Sequence, residues 1–142
     1  MRQRKVKNLE EKYAGFEDIL VYKPEEVRGN WAERSGHSKG IYLEAGCGKG
    51  RFISQLAERE PDNFFIAVEG NRSVMLRALE KVRELGLSNV VFVPNFIVDL
   101  HDWFEDGEID GIYLNFSDPL PKNCSAKKRL TWQAKTIFRC TQ

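Results

Sequence analysis

Apolar residues in this chain gather in short unbroken runs, separated by longer stretches in which they recur every three or four positions. Ile41-Tyr42-Leu43, Phe64-Phe65-Ile66-Ala67-Val68 and Val90-Val91-Phe92-Val93 are continuous runs bounded by Gly, Pro, Asn or acids. Runs of that length read as strands buried on both faces. The pattern predicts strands over 40–45, 64–68 and 90–93, and a fourth from Ile109 to Phe116. Phe52, Ile53, Leu56 and Ala57 fall on one face of a helix that Pro61-Asp62-Asn63 interrupts. Val74, Met75, Ala78, Leu79, Val82 and Leu85 make a second helical stripe, opposite Arg72, Arg77, Lys81 and Glu84. Asn71 or Ser73 can cap its start and Gly86 can end it. Residues 8–40 read as a short helix and loops.

Strands alternating with helices predict an α/β fold whose parallel sheet is covered on both faces. In such sheets ligands sit outside the carboxyl ends of the strands. The polar residues that close the strands are therefore the first candidates for chemistry: Glu44, Glu69, Asn95 and Asp118.

Composition narrows the setting. With 142 residues and 42% of them apolar, the chain can bury the core of one domain. No run of 18 apolar residues occurs, so no membrane span is expected. Cys47, Cys124 and Cys140 lack metal-ligand spacing, so no metal is expected and a reduced, cytoplasmic setting is. His37 and His101 read as surface residues rather than bases. The net charge of +1 conceals an uneven distribution. Arg2, Arg4, Lys5 and Lys7 have no acid among them, nor do Lys122, Lys127, Lys128, Arg129, Lys135 and Arg139, while all 21 acids lie between. Basic ends on an acidic body suggest a polyanion partner.

The loop "EAGCGKG", 44–50, follows the first strand. A dinucleotide fingerprint would need glycine at Arg51, and a phosphate-cradling Walker loop would need glycine at Leu43 and Ser or Thr at Gly50. Both fail. The pattern acid-x-G-x-G-x-G fits throughout, with a second acid, Glu69, closing the next strand. This pair resembles the class I S-adenosylmethionine-dependent methyltransferases. The resemblance implies a Rossmann-like sheet of order 3-2-1-4, with Gly46 and Gly48 approaching the methionine part of the cofactor. It further implies that Glu69 accepts hydrogen bonds from the ribose hydroxyls, that Glu44 faces the cofactor's amino group, and that Asn95 meets the adenine edge.

A narrower resemblance lies at the fourth strand. "YLNFSDPLPK", followed by "KKRLT" at 127–131, is similar to the signature of the bacterial tRNA (guanine-N7)-methyltransferases, typically N-F-x-D-P-W-P-K and then a basic run. What it implies is methyl transfer from S-adenosylmethionine to N7 of a variable-loop guanosine in tRNA. Guanine N7 carries a lone pair and no proton, so no strong base is required, and placement can supply roughly 7–11 kcal/mol. Asp118, held between Ser117 and Pro119, is the implied catalytic carboxylate: it would stabilise charge arriving on the ring or grip its N–H donors. Asp118 also borders the cofactor site, and Lys122 would meet the RNA substrate.

The chain departs from that family at Leu120, where tryptophan is usual, at Asn95, where an aspartate is common, and in "KNCSAKKRL", which lacks an arginine and a histidine. It also stops where the family continues through further strands. The expectation is thus an incomplete methyltransferase sheet holding the first four strands. It comprises a basic arm with a short helix and loops over 1–40, a cofactor-binding core over 41–131, and an irregular end over 132–142. A non-catalytic tRNA- or nucleotide-binding remnant is the alternative, and an exposed fourth strand would favour self-association.

Overall fold

The computed structural model describes residues 7–114. The strands lie where the apolar runs place them: β1 Gly40–Ala45, β2 Asn63–Val68, β3 Val90–Val93 and β4 Gly111–Leu114. They form one parallel sheet of order β3-β2-β1-β4. β4 starts later than Ile109, because Asp110 turns the chain onto β1. The Asp110 amide donates to the Ile41 carbonyl at 2.8 Å, and its carboxylate accepts the Ile41 amide at 2.8 Å. Asn115 and Phe116 lie outside the described residues.

Alternation along β2 shows why its run is continuously apolar. Phe65 and Ala67 enter one core, and Phe64, Ile66 and Val68 the other. Three of the four α-helices among the described residues cover the first face. α1 spans Leu9–Ala14, α2 Trp31–Arg34, α3 Arg51–Arg59 and α4 Arg72–Leu85. The stripes of α3 and α4 (Ile53, Leu56, Met75, Leu79, Val82) meet Phe65 and Phe92 there, with Tyr13 of α1. Asn71 caps α4, its side chain accepting the Ser73 and Val74 amides at 3.1 and 3.2 Å. Gly86, at φ +67°, ends the helix.

The second face is covered mainly by irregular chain. Trp31 is fully buried among Ile41, Leu43, Leu100, Phe104 and Ile109, and its indole N–H donates to the Trp103 carbonyl at 2.8 Å. Glu108 locks this layer: its carboxylate accepts the amides of Gly29, Trp31 and Glu105 at 2.8–3.1 Å.

Residues 8–34 therefore wrap around the β3 edge. α1 lies on one face, Val21 donates to the Phe92 carbonyl at 2.8 Å along the edge, and Trp31 fills the other face. Two ion pairs fix the wrap to α4, Arg72–Glu10 and Arg83–Asp18, each at 2.6 Å.

Candidate functional site

At the carboxyl end of β1 the chain turns through the glycine loop. The amides of Gly46 and Cys47 both donate to the Val68 carbonyl, at 2.8 and 2.9 Å, tying the loop to the end of β2. Gly50 must be glycine on two counts. Its φ is +80°, and a Cβ there would stand 2.5 Å from the Ala78 Cβ on α4. The loop is thus pressed against α4 as it enters α3.

Glu69 closes β2 and its carboxylate is held at both oxygens by backbone amides. Oε1 accepts the Gly48 amide at 3.0 Å, and Oε2 accepts the Asn71 amide at 3.1 Å. One half-buried carboxylate thereby joins the glycine loop to the start of α4, leaving each oxygen with further lone-pair capacity. Glu44, the last polar residue of β1, is 1% exposed.

The two acids create a negative field at the loop. Burial pushes the neighbouring Cys47 thiol well above the ordinary range, and Glu44 and Glu69 push it further the same way.

Asn95, after β3, directs its side chain to the N-terminal wrap, Nδ2 donating to the Tyr22 carbonyl at 3.0 Å. Gly46, Gly48, Glu44, Glu69 and Asn95 thus all stand at the carboxyl ends of β1, β2 and β3. Asp118 and Lys122 lie outside the described residues, as do the basic positions of both ends except Lys7. His101 pairs with Asp99 at 3.0 Å. Among the described residues no His/Cys/Asp/Glu cluster could hold a metal ion, and no helix is long and apolar enough to cross a membrane.

Two features here have no signature in the sequence pattern. The Phe96 ring lies directly over Gly70, leaving no room for a Cβ, although Phe96 itself is largely exposed. Tyr13 reaches the start of α4 from a helix 59 residues earlier, its hydroxyl donating to the Arg72 carbonyl. Only a short polar-to-aromatic change after a strand could have drawn attention to Phe96.

Comparison with known proteins agrees with the geometry. A family model described as "Putative methyltransferase" matches residues 38–137. A tRNA (guanine-N(7)-)-methyltransferase from Brevibacillus brevis is 45% identical over 137 residues, covering 94% of this chain. The chain spans 62% of the length of that relative. Among solved structures, an antibiotic-related methyltransferase superposes with a TM-score of 0.62 at 19% identity, covering 78% of this chain and 58% of the other. A SAM-dependent methyltransferase from Aquifex aeolicus gives 0.52 at 18% identity, over 93% and 68%. At such identities the structures speak for the fold alone.

Proposed function

The chain belongs to the methyltransferase family whose model spans residues 38–137, and we propose that it serves methyl transfer from S-adenosylmethionine to guanine N7 in tRNA. The observation that carries this reading is the Glu69 carboxylate, held by the Gly48 and Asn71 amides at the mouth of the glycine loop. The activity of the Brevibacillus brevis relative suggests the substrate class.

The residues fit the cofactor. Its sulfonium is a cation, and the carboxyl groups of Glu44 and Glu69 flank the loop that would receive it. The bound cofactor would supply an electrophilic methyl group. Glu69 would accept the ribose hydroxyls through charge-assisted hydrogen bonds. Glu44 would face the amino group, Gly46 and Gly48 would let the backbone approach, and Asn95 would turn toward the adenine edge. Asp118 would steady the guanine and Lys122 a phosphate of the RNA, in the compartment where tRNA is made and used, the cytoplasm. β4, which pairs with β1 alone among the described residues, is where a second copy would add.

Titration of S-adenosylhomocysteine by calorimetry tests the reading. Glu69→Ala is expected to lose about 1.5–3 kcal/mol, the value of hydrogen bonds to a charged group. Equal affinity in the two chains would remove Glu69 from the ribose. For the RNA, binding of a tRNA transcript should weaken steeply from low to moderate salt as counterions are released. Salt-insensitive binding would exclude phosphate contacts by the basic ends.

A further inference from the structure

We propose that Tyr13 is a positioning residue for the Glu69 carboxylate, and through it for the ribose end of the cofactor; this rests on the ribose reading of Glu69 given above. The turn that presents Glu69 runs from β2 into α4 as Glu69-Gly70-Asn71-Arg72. Its start is fixed to β3, where the Glu69 amide donates to the Val93 carbonyl at 3.2 Å. Its middle is fixed by Asn71, whose amide binds Glu69 and whose side chain caps the helix.

Its end is fixed from outside the sheet. Tyr13, 1% exposed on α1, donates its hydroxyl to the Arg72 carbonyl at 2.5 Å. The same tyrosine ring lies under the Arg72 guanidinium, 4.5 Å from ring centroid to the charged carbon, and Glu10, from the same helix, pairs with that guanidinium at 2.6 Å. α1 thus grips Arg72 by its backbone and by its side chain. Burial raises the phenol above its ordinary range, so the hydroxyl remains a donor across the working pH.

Deleting that one oxygen keeps the ring and its packing but releases the Arg72 carbonyl. The turn is then held to α1 only by the Glu10–Arg72 pair and the ring, and Glu69 would be set less firmly against the Gly48 amide. The effect on the cofactor is indirect, since Tyr13 is separated from Glu69 by Arg72, Asn71 and Gly70.

S-adenosylhomocysteine is titrated into chain 1–142 and into Tyr13→Phe, Glu69→Ala, the double variant, and Trp31→Phe. Tyr13→Phe is expected to weaken binding roughly 3–10-fold, the range for one neutral hydrogen bond. In the Glu69→Ala background it should cost nothing further, because the two act as one unit. Trp31→Phe deletes a comparably buried donor, the one on the Trp103 carbonyl, from the opposite face, and should leave affinity unchanged. Equal weakening by Tyr13→Phe and Trp31→Phe would make the tyrosine merely structural and overturn the proposal. Unaltered affinity in Tyr13→Phe, or additive losses in the double variant, would do the same. Unaltered affinity in Glu69→Ala alone would instead fell the ribose reading, and this proposal with it. If Tyr13→Phe does not fold, hydrogen exchange on the unaltered chain decides. The ligand should slow exchange over 9–14 together with 69–74, and protection confined to 44–50 and 69–71 would overturn the coupling.

Discussion

Cys47 is buried beside Glu44 and Glu69, and its thiol gives the fold a pH dependence that can be followed without any ligand. Its thiol is raised in the fold by burial first, then by Glu44 and Glu69. A group raised above its unfolded value contributes stability that is complete below that value, about 8.5 for a thiol, and is lost as pH climbs from there toward the raised one. Cys47→Ser replaces the titrating group with one that does not titrate. Denaturant midpoints followed between about pH 8.5 and 10 should therefore fall less in the variant. Parallel slopes would show that Cys47 contributes nothing to the pH dependence. Tyr13 is raised as well, but an unfolded tyrosine ionises only near 10, so its contribution comes later. At this scale the sequence was legible where chemistry is local. The position of Glu44, Gly46, Gly48 and Glu69 at the ends of β1 and β2 follows from their spacing along the chain. Tyr13 and Phe96 do not, because each acts on a residue brought to it only by the fold, Arg72 in one case and Gly70 in the other.

Between elements, the glycine loop is pressed closely against α4. Gly50→Ala would combine a left-handed backbone with a Cβ only 2.5 Å from that of Ala78. A cost of about 2–5 kcal/mol is expected, from roughly 1–2 for the backbone and 1–3 for overpacking. Adding Ala78→Gly should recover the overpacking part alone, so the double variant should be more stable than the summed single effects predict. Strict additivity in denaturant titrations would refute a direct contact. Periodicity read the elements well because β2 and β3 are buried on both faces and α4 on one stripe, and its caps were visible as Asn71 and Gly86. It read the covering of the second face poorly. Trp31, Leu100, Phe104 and Ile109 fill that core from turns and a four-residue helix, which leave no repeating pattern.

For the molecule as a whole, the wrap of residues 8–34 is part of the body of the fold. Tyr13, Ile19, Leu20 and Val21 are all buried, and Val21 seals the β3 edge. Burying such side chains is worth about 1.5–3 kcal/mol each, against a total of about 5–15 for an ordinary domain. A chain beginning at residue 23 is expected to lose its cooperative unfolding transition, and a sharp denaturant transition in 23–142 would contradict this. The same wrap bears on how the protein is born. Its partners come 59 residues later for Tyr13 and as many as 79 for Gly29. At 5–20 residues per second, a ribosome needs roughly 3–16 s to deliver them. For that interval Tyr13, Leu20 and Trp31 have no sheet to enter. Residues 8–34 thus leave the ribosome well before the partners that bury them, and a nascent chain arrested before Phe92 should be held by chaperones and cut readily by protease within residues 8–34.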